Sequence, residues 1–121
     1  MKKKIGIITF HTALNYGAVL QTYALQNFIK KNGVDNEIID YKCKFIEKCY
    51  KPFFVSDGKV VNSVVRGILF GSIIRKKRVV FDKFINERLE LSKEIHTKSE
   101  LQEIASQYEY CITGSDQVWA R

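Results

Sequence analysis

The sequence predicts an α/β fold organised on a parallel sheet, and three observations carry that prediction. IGIITF, residues 5–10, is an unbroken apolar run with no alternation, as expected of a strand buried on both faces. A loop rich in turn residues, HTALNYG (11–17), leads from it into a stretch of helical spacing that ends near Lys31. A second short strand, Glu37 to Tyr41, follows Asn32-Gly33. Together these make a strand–loop–helix–strand unit of crossover size.

The remaining elements follow in chain order. In the first helix, from about Ala18, Leu20, Ala24 and Phe28 lie four apart, as do Leu25 and Ile29. Gln21, Gln26, Asn27, Lys30 and Lys31 take the other positions. Lys30-Lys31 and Gly33 mark its end, with glycine as a left-handed cap. Residues 42–58 have no clean period and are broken by Pro52 and Asp57-Gly58. Residues 60–74 are apolar in pairs, which favours a helix. Ser63, Gly67 and Gly71 fall on one stripe of it, open to close approach by another backbone, although each glycine costs a helix roughly 1 kcal/mol. RKKR at 75–78 reads as a junction before a second helix carrying Val80, Phe81, Phe84, Ile85 and Leu89. Thr97 to Glu100 has the form of a capping box, opening a third helical stripe through Leu101, Ile104, Ala105 and Tyr108. Tyr110 to Thr113 is the last strand. Right-handed crossovers make these strands parallel, so the polar tips at 11–17 and 114–117 emerge on one edge, where open α/β sheets bind ligands.

Composition narrows the class. A chain of 121 residues with 45% apolar residues holds about one domain with a real core. Cys43, Cys49 and Cys111 form no CxxC pair, which argues against a disulfide framework or a structural zinc site and for thiols in a reducing cytosol. The basic start MKKK precedes only six apolar residues and no small-residue cleavage site, unlike a signal peptide. Val60 to Ile74 carries Arg66 and falls short of the roughly 20 apolar residues that span a bilayer. A cytoplasmic protein is expected.

The net charge of +7 is concentrated: residues 42–88 hold twelve Lys/Arg against four Asp/Glu, and the rest hold eight against nine. The excess therefore belongs to a basic helical insertion at about 42–92. Within it RKKR fits either a solvated helix junction or an anionic partner: nucleic acid, a lipid surface or a phosphorylated substrate. The cluster lacks interleaved aromatics for base stacking, which weighs against nucleic acid.

Two motifs carry chemistry. In the first, Asn15 can cap the following helix and Gly17 lets a ligand approach a helix N-terminus, where backbone N–H groups attract polar or anionic groups. The plain alternative is a cap and a turn. His11 could act as an acid or base, or be a hydrogen-bonded structural residue. In the second, Gly114, Ser115, Asp116 and Gln117 offer a hydroxyl, a carboxylate and an amide, a set suited to hydroxyl-rich ligands such as sugars. Here the alternative is a turn bonded to its own backbone. Trp119 either stacks on a sugar or anchors the chain. Neither GxGxxG nor GxxxxGK[ST] occurs, so the usual nucleotide fingerprints are missing. No cofactor and no metal are expected.

ITFHTALNYGAVLQTYALQNFIKKNG and YCITGSDQVW resemble, in order and character, the polysaccharide pyruvyl transferase family, while the basic stretch between them fits loosely. The resemblance implies two Rossmann-like domains facing a cleft, as in glycosyltransferase-B enzymes. These 121 residues are then an incomplete N-terminal domain without the second one, expected to be inactive alone. It implies transfer of a pyruvyl group from phosphoenolpyruvate to sugar hydroxyls of a cell-surface polysaccharide. Carried over residue by residue, Asn15, Tyr16, Gly17 and Gln21 match the first block, and Gly114, Ser115, Asp116 and Gln117 the second. His11 joins them as a substrate contact and Asp116 is the candidate base; the cationic donor site is expected elsewhere. Competing readings are a glycosyltransferase-type or sugar-binding fragment, and a basic module on an anionic membrane or nucleic acid. Peripheral contact with the inner face of the membrane through residues 42–88, and self-association through apolar surface near Trp119, are further expectations.

Overall fold

A computed structural model describes residues 4–42 and 60–114. They form a small α/β fold in the order β1 (Lys4–Ile8), α1 (Tyr16–Lys31), β2 (Asp35–Ile38), α2 (Val60–Arg88), α3 (Lys98–Ala105) and β3 (Tyr110–Thr113). The sheet runs β2-β1-β3. Both pairings are parallel, with Ile7 opposite Ile38 on one side and Ile112 on the other. Residues 43–59 and 115–121, with Cys43, Cys49, Ser115, Asp116, Gln117 and Trp119, lie outside the described residues.

The unbroken apolar run of β1 feeds two cores. Successive strand residues point to opposite faces. Ile7 and Ile38 join Leu14, Val19, Ile29, Phe81, Ile85 and Leu89 on the α1/α2 face, while Ile8 and Ile39 meet Ile95, Ile104 and Tyr108 on the α3 face. Each fully buried isoleucine contributes about 1.5–3 kcal/mol.

The second strand begins two residues earlier than expected and its ladder with β1 ends at Ile38. Beyond it, main-chain bonds continue in a new direction. Ile38 N–H donates to Glu90 O and Ser92 N–H to Ile38 O, both at 2.8 Å. Lys42 N–H donates to Ile95 O at 2.9 Å. Isolated parallel bridges pair Ile38 with Leu91 and Tyr41 with Ile95, so residues 90–95 cover the outer edge of β2. Their sequence, ELSKEI, has no apolar run to announce that role.

The inward face of α1 keeps only part of the apolar spacing read from the sequence: Ile29 is in the core and Leu25 packs against it. Val19, Thr22, Gln26 and Ile29 are buried, whereas Leu20 and Phe28 are 55% and 68% exposed. A buried polar side chain needs partners, and Gln26 has them: Nε2 donates to Glu90 O and Oε1 accepts from Glu90 N–H, each at 3.0 Å. The glutamine closes on the main chain of one residue of the covering segment, so burial leaves its amide satisfied. Gly33, at φ +76°, ends the helix as expected.

α2 corrects the expected junction at residues 75–78. It is a single helix of 29 residues, about 43 Å long at 1.5 Å per residue. Arg and Lys are good helix formers and no proline interrupts them. One buried stripe runs through Gly67, Gly71, Ile74, Phe81, Ile85 and Leu89, with Ile74 half-buried, at the three- and four-residue spacings of one helix face. The capping box of α3 forms as expected: Glu100 N–H donates to Thr97 Oγ1 at 3.2 Å, and Thr97 N–H to Glu100 Oε2 at 2.9 Å. Among the described residues no helix is long and apolar enough to cross a membrane.

The exchange of Leu20 for Gln26 on the buried face of α1 gives a measurable order of effects. Gln26→Ala takes the acceptor from Glu90 N–H, while Glu90 O keeps the Ile38 N–H, and should lower unfolding free energy by about 1–3 kcal/mol in urea titration. Leu20→Ser should change it by less than about 0.5 kcal/mol. Equal losses would return Leu20 to the core.

Candidate functional site

Parallel pairing puts the C-terminal ends of β1 and β3 side by side. The Gly114 amide donates to Ile8 O at 2.9 Å, so the tip of β3 lies against the start of the loop 9–15. That approach depends on the missing side chain. A Cβ on Gly114 would stand 2.7 Å from Thr9 Cγ2, closer than real carbons approach.

The loop is fixed from beneath by buried polar contacts. Thr22 Oγ1 lies 2.9 Å from Thr9 Oγ1 and donates to Ala18 O at 2.8 Å. His11 is fully buried. Its Nε2 lies 2.9 Å from Asp40 Oδ1, and its Nδ1 faces Thr9 O at 3.3 Å. Lys42 Nζ reaches the same Asp40 oxygen at 3.1 Å. Burial pushes the Asp40 pKa up, but the hydrogen bonds and charges of His11 and Lys42 outweigh it and hold the carboxyl below its usual range. Asp40 is therefore an ionised acceptor near neutral pH, and His11 Nε2 carries the hydrogen between them. His11 thus lies under the rim with both ring nitrogens facing protein groups. It braces the end of β1 against the end of β2.

Asn15 is the N-cap of α1. Its Oδ1 accepts from Gly17 N–H at 2.9 Å and from Ala18 N–H at 3.4 Å. The cap satisfies the two donors that the open loop would otherwise offer an anion. Tyr16 is exposed at the rim. Its ring stacks at a tilt on Phe81, centroids 4.9 Å apart, with the Lys77 ammonium 4.9 Å from its centre. Here the basic cluster enters the site. Lys77 Nζ donates to Leu14 O at 2.9 Å and Arg78 to Thr12 O at 3.1 Å. Two of the four consecutive cations therefore hold the loop by its carbonyls, because α2 runs unbroken past it.

Between α1 and β3 lies an open cleft of about 390 Å³ lined by Gln21, Ala24, Leu25, Phe28, Ile112, Thr113 and Gly114. Its size falls in the range of small-ligand sites, about 300–1,000 Å³. Gln21 from the first motif and Gly114 from the second line it together. Asn15, Tyr16 and Gly17 stand at the N-terminal end of the same helix. A smaller cleft of about 120 Å³, on Tyr16, Val19, Leu20, Val80, Phe81 and Phe84, is wholly apolar.

Sequence reasoning missed Thr9, Thr22 and Asp40, and singled out Lys77 and Arg78 for an anionic partner or a solvated junction, not for the loop carbonyls they hold. Thr22 carried a faint signal, sitting three residues after Val19 on the stripe that continues to Gln26 and Ile29. The other contacts span long sequence separations or depend on the path of α2.

A family model described as polysaccharide pyruvyl transferase matches residues 15–63. The family is the one the sequence resembles, and the match confirms that resemblance over these residues. The matched stretch starts at the cap Asn15 and holds Tyr16, Gly17 and Gln21; Gly114 and the residues after it lie outside it. No curated protein and no solved structure matches the chain.

The low Asp40 pKa sets an acid limb. A carboxyl whose folded pKa lies below its unfolded value stabilises the fold above that value and loses this contribution as pH falls through the folded pKa. Stability from this group should therefore be complete at neutral pH and fade below about pH 4. Asp40→Asn should be less stable at pH 7 and lack that part of the acid decline; parallel stability–pH curves for the two proteins would contradict the pairing. Gly114→Ala should lower stability by about 1–3 kcal/mol through the Thr9 collision, as read by thermal unfolding.

Proposed function

We propose that these residues form one wall of the acceptor side of a pyruvyl transferase, which moves the pyruvyl group of phosphoenolpyruvate onto sugar hydroxyls of a cell-surface polysaccharide, closing a ketal and releasing phosphate. The observation that carries the reading is the meeting of the two motif blocks: Gln21, inside the family match, and Gly114, at the tip of β3, line one cleft.

The chemistry asks for three things: cationic groups on the donor's phosphate and carboxylate, an acid that protonates the enol carbon, and a base for the attacking sugar hydroxyl. The described wall suits the third participant's binding. Gln21 lines the cleft, and Tyr16 presents an exposed ring and phenol at the rim. The apolar floor of Leu25, Phe28 and Ile112 suits the carbon face of a sugar. Asp116, two residues beyond Gly114, is the proposed base, with Ser115 and Gln117 as further acceptor contacts. Lys77 and Arg78 are occupied with loop carbonyls, so the donor's charges call for other cations, which we assign to a facing second domain of glycosyltransferase-B type.

The test is kinetic, in a transferase carrying this domain together with its facing partner. Asp116→Ala should lower kcat by about 10²–10⁴ while leaving the unfolding midpoint in place; equal loss of activity and stability would make Asp116 structural. Gln21→Ala should raise KM for the acceptor and leave KM for phosphoenolpyruvate unchanged. A requirement for a nucleotide-sugar donor would replace this reading with glycosyl transfer. The 121-residue chain alone should form no ketal.

A further inference from the structure

We propose that the outer face of the first half of α2 docks the protein on an anionic lipid surface, an interaction separate from the acceptor wall and independent of its chemistry.

The face is apolar where it should be polar. Val65, Leu69, Ser72, Lys76 and Val79 recur at spacings of four and three, one helix stripe, and all are exposed. Beside them Ile68 is 73% exposed, Ile73 59% and Val80 63%. The apolar side chains of α2 that pack in the core begin at Ile74 and continue through Phe81, Phe84, Ile85 and Leu89. From Val64 to Ile73 no described residue belongs to either core cluster. Among its described residues, the first half of the helix therefore buries only its glycine side, at Gly67 and Gly71, while its outer side remains aliphatic. An apolar patch of this continuity on a folded surface marks an interaction site.

Charge decides the occupant. Between Val60 and Phe81 the chain holds five Lys/Arg and no Asp/Glu. Lys77 and Arg78 turn inward to the loop carbonyls. Arg75 and Lys76 are exposed among the aliphatic side chains, with Arg75 steadied by a 3.2 Å bond from Nε to Gly71 O. Aliphatic groups interleaved with cations match the boundary between acyl chains and anionic headgroups, where the apolar side chains sink and the long cationic stems reach the phosphates. A second copy of the same face would bring like charges together. A nucleic acid would meet valine, leucine and isoleucine, which neither stack on bases nor donate hydrogen bonds.

Flotation of the 121-residue chain with vesicles tests this. Vesicles of phosphatidylcholine containing about one-third phosphatidylglycerol should carry the protein, and pure phosphatidylcholine should not; added salt should release it. Lys76→Gln should weaken partitioning about fivefold, and Leu69→Gln with Ile73→Gln by about tenfold or more. Both variants should keep the wild-type circular dichroism and melting midpoint, since these side chains lie outside the core. No binding to the anionic vesicles, or binding indifferent to the Leu69/Ile73 change, would overturn the proposal. So would a dimer in sedimentation equilibrium that the same double variant dissolves, or retention on DNA that the double variant leaves intact. The first would assign the face to a second copy and the second to a polyanion.

Discussion

Strand β1 is hydrogen-bonded to a parallel neighbour on each side, and the architecture of the site hangs on that double pairing. Because β2 and β3 both run in its direction, the three C-terminal ends open on one edge. The peptide contacts there are short: Ile39 N–H to Ile7 O at 2.8 Å and Gly114 N–H to Ile8 O at 2.9 Å. A main-chain ladder tolerates no sliding without turning every side chain to the other face. With Ile7 and Ile8 sunk in separate cores, the register is held from both sides. The loop that leaves β1 and the tip of β3 are thereby neighbours before any side chain of the site is considered.

Beneath the rim, buried polar groups are arranged in closed pairs: His11 with Asp40, Thr9 with Thr22, Gln26 with the Glu90 peptide. Each would be costly alone and is inexpensive together, since every desolvated donor meets an acceptor. From above, Lys77 and Arg78 take the loop's carbonyls. A loop clamped on both sides presents Tyr16 and the start of α1 in one geometry, which spares a ligand the entropy of ordering them. Lys77 and Arg78 therefore act as struts of the loop.

Local signals were read from the sequence with success where the interaction itself is local. The capping box at Thr97 and Glu100 spans three residues, Asn15 caps donors two and three positions on, and Gly33 adopts a positive φ at a helix end. Each of these is closed within a single turn. The burial of β1 was legible because two cores need two apolar faces. Where the reading failed, a distant partner decided. Gln26 passed for a surface residue because its partner, Glu90, is 64 positions away. Residues 90–95 gave no strand signal because they pair only through the edge of β2. RKKR passed for a break because four charges in a row resemble a solvated corner, when a helix accommodates them with two turned inward.

The sequence by itself determined the α/β class, the order of strands and helices, the two helix caps and the two polar tips, because these follow from backbone preferences and from apolar spacing along the chain. Only the tertiary structure decided which face of α1 is buried, that α2 is continuous, that His11 is a brace beneath the rim, and that Gln21 and Gly114 share a cleft. Those outcomes are set by which distant groups can satisfy a desolvated hydrogen bond or tolerate a close approach, and such partners are chosen in space, without regard to their separation along the chain.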